Sequence, residues 1–162
     1  MTGQLAPMAR SAEAFWQRYL DTLPPAHPHQ RARPGVFAFG DSPSLADELA
    51  ELVTIGRKRA TASLPVEFAS EGLPLPVVGD VSIVTRAEGA PVAIIELTEV
   101  TYVPFRAVDA TFAADEGEGD RTLVWWQTAH RRYFGRVSGR LGVKFDEGTE
   151  VICQRFRVVW PD

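Results

Sequence analysis

A chain of 162 residues with 45% hydrophobic and 23% charged residues can bury a core as one globular domain, which excludes the composition of a disordered chain. Its net charge of −4 excludes indiscriminate coating of nucleic acid, so extended duplex DNA is not an expected partner. A single cysteine forms no internal disulfide, no Cys/His pair has zinc spacing, no leader pattern opens the chain and no run approaches the ~18 apolar residues of a membrane span. These features predict a cytoplasmic protein with no metal, cofactor or membrane partner, and they leave the oligomeric state open.

Residues 1–10 carry no periodicity and read as frayed. Ser11 reads as the cap of an accessory helix ending near Leu20 or Asp21, with Phe15, Tyr19 and Leu20 as its apolar stripe. Residues 23–35 hold four prolines and read as an extended surface connection, which places His27 and His29 in solvent. Residues 1–35 thus form an N-terminal helix and connector, and residues 36–162 the main domain.

In that domain Val36–Phe39 is a short apolar run, and Ser42 with Pro43 opens a helix carrying Leu45, Leu49, Leu52 and Val53 on one side. Gly56 stops the helix by taking a left-handed turn, and a short strand follows over 58–64. Residues 65–76 read as a proline-rich loop, 77–85 as a turn and strand, and 91–103 as a long strand paired with it. Apolar residues at both parities in the long strand imply burial on two faces, as in a small barrel. Short helical turns over 104–114 lead to an acidic glycine-rich loop, 115–120. Asp120 then caps a helix to about Leu141, with Leu123, Trp126, His130, Phe134 and Val137 along one side. Residues 150–160 close the fold as a strand.

The most chemically loaded segment is Thr54–Ser63, where Arg57, Lys58 and Arg59 crowd with Thr54, Thr61 and Ser63 and no carboxylate. On a regular strand Lys58 shares a side with Ala60 and Ala62, and Thr61 with Arg59 and Ser63; if the turn after Gly56 delays the strand, Lys58 and Thr61 converge instead. Spacing leaves both arrangements open, and a plain solvated basic turn as well. In a dry pocket a lysine beside a threonine hydroxyl is a workable nucleophile pair, with a carboxylate from Glu116 or Glu118 to orient the lysine or carry a proton. Glu96, inside the apolar long strand, needs a partner if it points inward, and Lys58 or Arg59 is the natural one. Trp126 and His130 read as core, Trp125 as a residue able to stack a base, and Cys153 as packing.

Taken in order, Gly56-Arg57-Lys58-Arg59-Ala60-Thr61-Ala62-Ser63 after a helix, Val78-Gly79-Asp80 opening a strand, Ile95-Glu96-Leu97, Glu116-Gly117-Glu118-Gly119-Asp120 and the closing residues 153–158 resemble the ASCH domain, a relative of the PUA fold, in its longer bacterial form. The resemblance covers roughly residues 36–160 and implies an α+β protein: a small PUA-like β-barrel with flanking helices and a cleft suited to RNA or a modified nucleoside. Some small ASCH members remove the acetyl group from N4-acetylcytidine with a lysine, a threonine and a glutamate, and others are reported as ribonucleases. Lys58 and Thr61 match the first two positions and Glu118 is the choice for the third, with Glu116 in reserve. Arg57, Arg59, Ser63, Glu96 and Glu116 are the expected binding neighbours. In the implied reaction Thr61 attacks or positions water, Lys58 takes the proton and holds the oxyanion, and Glu118 protonates the leaving amine. The alternative is a module that binds single-stranded RNA or cleaves it. Short members carry an arginine two residues past the threonine, where this chain has Ser63.

Overall fold

The computed structural model describes residues 8–162, so the expected fraying of the chain start lies, for residues 1–7, outside the described residues. Among the described residues five helices surround one mixed sheet. In chain order these are α1 (Arg10–Leu20), β1 (Gly35–Phe37), α2 (Pro43–Thr54), β2 (Ala60–Ser63), α3 (Pro65–Ser70), β3 (Val81–Thr85), β4 (Pro91–Pro104), α4 (Ala110–Glu116), α5 (Leu123–Leu141) and β5 (Glu150–Trp160). Short 3-10 turns occupy Pro28–Arg31 and Phe105–Ala107.

The sheet order is β1-β3-β4-β5-β2, with β1 parallel to β3 and every other pair antiparallel. β1 and β2 lie at opposite edges and do not pair, so the sheet is open and the closed barrel expected from the sequence is not formed. The two-sided burial of β4 has another cause, because helices cover both faces. Ile94 packs with Val81 and Ile83 against Phe15, Trp16 and Tyr19 of α1. Ile95 and Leu97, on the other face, pack with Phe156 against Leu49 and Val53 of α2. Toward the other end of β5, Val151 and Cys153 join Ala60, Ala62, Phe112, Trp126 and Phe134 in a third cluster under α4 and α5.

Local chemistry explains the element ends. Ser42 accepts the N–H of Leu45 and Pro43 opens α2, as expected. Helix α1 begins at Arg10 behind Ala9, without a side-chain cap, so Ser11 lies inside the helix. A helix, α3, interrupts the stretch expected as loop. Pro65 is tolerated in its first turn, and the Glu67 carboxylate reaches back to the Leu64 N–H at 2.7 Å. The acidic loop is shorter than expected, because Asp115 and Glu116 belong to the last turn of α4 and Gly117 ends it at φ 72°. Thr122, not Asp120, caps α5; Asp120 supports the cap by accepting the Thr122 N–H at 2.8 Å and its hydroxyl at 2.6 Å. Among the described residues no helix is long and apolar enough to cross a membrane.

Candidate functional site

The turn that ends α4 docks onto the segment that enters β2. Arg59 donates its backbone N–H to the Asp115 carbonyl at 2.8 Å, and the Arg57 guanidinium donates to the Gly119 carbonyl at 2.8 Å. Gly117 lies so close that a Cβ there would fall 2.2 Å from the Arg57 carbonyl oxygen. This docking brings Lys58 and Glu118, 60 residues apart, to 3.4 Å between Nζ and Oε2. Lys58 is 1% exposed and the Glu118 side chain 13%, so the carboxylate lies between the cation and the surface.

Strand geometry explains where the lysine points. The Arg59 carbonyl accepts from the Phe156 N–H of β5, so the next carbonyl, that of Ala60, faces the open edge of β2. Lys58 Nζ donates to that edge carbonyl at 2.8 Å and approaches the Glu116 carbonyl at 3.5 Å, with the Phe39 ring 5.0 Å away. The nitrogen meets three oxygen acceptors and acts as a donor to all of them. The base role expected of Lys58 therefore has no support in this geometry, whereas a role in holding a negative oxygen does.

Glu116 is fully buried and anchored. Its Oε2 accepts from Trp126 Nε1 at 2.5 Å and meets His130 Nε2 at 3.1 Å. His130 Nδ1 lies 2.9 Å from the Trp126 carbonyl, and the two rings stack with centroids 4.1 Å apart. Both imidazole nitrogens face acceptors, which requires both to donate and hence a charged ring. Burial opposes the Glu116 charge, but His130 and then Lys58 outweigh it and hold the carboxyl below the usual carboxylate range. Burial pushes Glu118 the other way, upward, against the attraction of Lys58, and the Glu116 charge adds to the rise. Burial lowers His130, and Glu116 more than reverses this, so its pKa is raised. Ligand atoms of Glu116, Glu118 and His130 lie within 4.8 Å of one another, but the two carboxylates are answered from within by Lys58 and His130.

The remaining expected residues divide. Alternation along β2 turns Ala60 and Ala62 into the cluster under α4 and α5, and turns Thr61 and Ser63 to the opposite face, opposite Gln154 and Ile152 of β5. Ser63 Oγ accepts from Gln154 Nε2 at 3.3 Å. Thr61 is half-buried and shares the edge strand that Lys58 caps, with no hydrogen bond joining it to the Lys58–Glu118 pair among the described residues. Arg57 and Arg59 are exposed. Glu96 lies elsewhere: its partners are His29 Nε2 at 2.6 Å and Arg157 at 3.0 Å, not Lys58 or Arg59. Register explains this, since Glu96 faces Val81 and Arg157 across the middle of the sheet, where the connector from α1 passes. His29 is consequently buried, with Nδ1 bonded to the Tyr19 hydroxyl at 2.7 Å, and is not the solvent-exposed residue expected. The site residues missed from sequence are Trp126 and His130. Their i, i+4 spacing on one helix face was visible, and a polar ring on an apolar face demands a buried partner.

His130→Leu is expected to leave the Glu116 charge buried without its cation and to cost roughly 3 kcal/mol. Because the folded pKa of His130 is raised, its contribution is fully present below its unfolded value near 6.5 and fades as pH rises through the folded value. Urea denaturation of the wild type and variant should therefore show a wide gap near pH 6 that narrows at alkaline pH. An equal gap at both would show that the imidazolium charge contributes nothing.

The chain matches the ASCH domain family over residues 35–160. The crystal structure of an ASCH domain from Lactobacillus crispatus JV V101 superposes with a TM-score of 0.88 at 33% identity, covering 96% of this chain and 98% of that one. Protein EF3133 from Enterococcus faecalis V583 superposes with a TM-score of 0.80, also at 33% identity, covering 93% of this chain and 88% of that one. No curated protein matches the chain. With the family match running from β1 to the end of β5, and both structures sharing the fold over nearly the whole chain, this protein belongs to the ASCH domain family.

Proposed function

We propose that the chain is an amide hydrolase acting on a small acylated nucleoside, with Lys58, Thr61 and Glu118 as the reacting set. The observation that carries this reading is the Lys58–Glu118 pair, a nearly inaccessible cation 3.4 Å from a carboxylate that still reaches the surface. A cation held in a low-dielectric wall stabilises a developing oxyanion far better than one in water. The raised proton affinity of Glu118 suits a group that takes a proton from the nucleophile and returns it to the leaving amine. In this scheme Lys58 holds the acyl oxygen, and the Thr61 hydroxyl, at the same sheet edge, attacks the acyl carbon or positions the water that does.

The test is release of cytidine from N4-acetylcytidine by purified protein, compared with Lys58→Ala, Thr61→Val and Glu118→Gln variants whose folding is checked by circular dichroism. Loss of roughly 100-fold or more in kcat is expected for Glu118→Gln, the size of effect a positioned acid–base group supplies. Wild-type turnover no greater than that of folded Lys58→Ala overturns the reading.

A second reading, binding of single-stranded RNA, is favoured by Trp125. Trp125 is 37% exposed and its indole lies against the Gly119 turn that the Arg57 guanidinium also reaches, which places an aromatic ring beside a cation. Affinity for a short single strand should then fall steeply with salt and with Arg57→Ala, whereas nucleoside hydrolysis should change little with salt.

A further inference from the structure

Gln154 has no part in the scheme above, yet it stands directly opposite Thr61 across the antiparallel pair of β2 and β5. Opposed residues of such a pair project to the same side, so Thr61, Ser63 and Gln154 share one face of the sheet. Two residues further along β5 that face carries Phe156, on which Phe39 stacks with ring centroids 6.0 Å apart. Lys58 Nζ lies 5.0 Å from the Phe39 ring, so the cation at the edge of β2 borders the same face.

The Gln154 side chain is only partly satisfied by the fold. The residue is 6% exposed, and among the described residues its carboxamide makes one hydrogen bond, from Nε2 to Ser63 Oγ at 3.3 Å. A carboxamide has two N–H donors and an oxygen acceptor, so one N–H and Oε1 remain free. Buried polar groups are normally hydrogen-bonded, which makes this pair an opening for a ligand. Among the described residues Ser138 Oγ is the side-chain polar atom that is both sealed from solvent and unpartnered, so Gln154 Oε1, also unpartnered, meets accessible space. Beside it Thr61 is half-buried. The row is uncharged, and the cation that borders it is already answered by Glu118.

We propose that Gln154 reads the heterocycle of the substrate, with Ser63 fixing the orientation of its carboxamide. This rests on the amide-hydrolase reading for the group that reacts, whereas the contact with the ring needs no turnover. A heterocycle acylated on an exocyclic amine presents a ring-nitrogen acceptor beside an N–H donor. The free N–H of Gln154 donates to the ring nitrogen and Oε1 accepts from the exocyclic N–H, the two-point match a carboxamide makes with adenine. The acyl group then extends toward β2, where Thr61 and Lys58 stand. Gln154 thus acts as a specificity-determining residue and takes no proton.

The experiment crosses one variant with one analogue. kcat/KM is measured for N4-acetylcytidine and for N4-acetyl-3-deazacytidine, in which C–H replaces the ring nitrogen, using wild type and Gln154→Met, a change that nearly preserves volume. The preference for the first substrate should be roughly 5- to 150-fold larger in wild type, the discrimination that one bidentate contact supplies. Most of the difference should lie in KM, since the contact is made before the acyl bond reacts. A merely structural role would slow both substrates alike, and an equal preference in the two proteins overturns the proposal. A second measurement does not depend on the variant folding: the nitrogen-15 signals of the Gln154 side-chain amide in wild type, assigned through the backbone, are followed on adding cytidine or 3-deazacytidine. They should move with cytidine and stay nearly still with 3-deazacytidine; signals unmoved by saturating cytidine overturn the proposal. If cytidine moves them but no acetyl group is released from N4-acetylcytidine, the contact stands and the hydrolase reading fails. If acetyl is released with the same preference in Gln154→Met, the hydrolase reading stands and the role of Gln154 fails.

Discussion

Gly117→Ala should destabilise the protein by roughly 2–5 kcal/mol, the sum of a left-handed residue gaining a Cβ and an overpacked contact. The backbone at Gly117 has φ 72°, and an added Cβ would lie 2.2 Å from the Arg57 carbonyl oxygen and 2.9 Å from the Lys58 nitrogen, both backbone atoms that cannot swing aside. For a chain of this size each kcal/mol moves Tm by about 2–4 °C, so thermal melting resolves the effect easily. Gly56→Ala is the matched control: its φ is 77°, but nothing lies within 4 Å of a Cβ there. That variant should lose only about 1–2 kcal/mol, the left-handed cost alone. Equal losses in the two variants would mean that the turn is not held against Arg57 and Lys58 as tightly as its geometry requires. The consequence is functional as well as structural, because the same turn presents Glu116 and Glu118 to Lys58.

Lys58→Met should cost about 3–5 kcal/mol at neutral pH, the penalty for removing one partner of a buried ion pair while nearly preserving side-chain volume. The cost should depend on pH in a definite direction. The folded pKa of Glu118 is raised above its unfolded value, so its ionised form weakens the fold as pH rises through the folded pKa, and the protonated form spares the fold below it. Without Lys58 that ionised form is worse tolerated, so the gap between wild type and variant should be largest above the Glu118 titration and shrink below it. Adding Glu118→Gln to Lys58→Met should recover much of the loss, because the uncompensated charge is then gone. Urea denaturation at two pH values checks this, and a pH-independent loss with no recovery in the double variant would reduce Lys58 to a packing residue.

Much of the fold was legible from rules acting within about four residues. Ser42 and Pro43 announced α2 because an oxygen side chain satisfies a free helix N–H and proline lacks the one it would waste. The helix expected to run to about Leu141 does so, with Gly142 ending it at φ 70°, and the β-branched run at 91–103 became the central strand β4. Where two local signals competed, the reading failed. At 65–76 the prolines read as a loop, yet one proline at a helix start and one glutamate three residues past Leu64 suffice for α3. At 120–122 Asp120 and Thr122 are both good caps, and the backbone geometry that selects Thr122 is not written in residue type.

Long-range pairing lay beyond those rules. Periodicity showed that β4 is buried on both faces but not whether a curling sheet or two layers of helices does the burying, since either hides the same residues. A carboxylate in an apolar strand declared that it needs a partner; only the register across β3, β4 and β5 decided that Glu96 meets His29 and Arg157 instead of the basic segment. By itself the sequence determined the family, the identity of the basic segment and the acidic turn that answers it, because these rest on residue order and on a glycine-delimited turn. The tertiary structure alone decided that Lys58 caps a strand edge, that Glu118 is its partner and that Trp126 and His130 hold Glu116. Each of those choices depends on which of several chemically equivalent groups the packed helices bring within 3.5 Å, and electrostatics acts on that distance and on burial, not on separation along the chain.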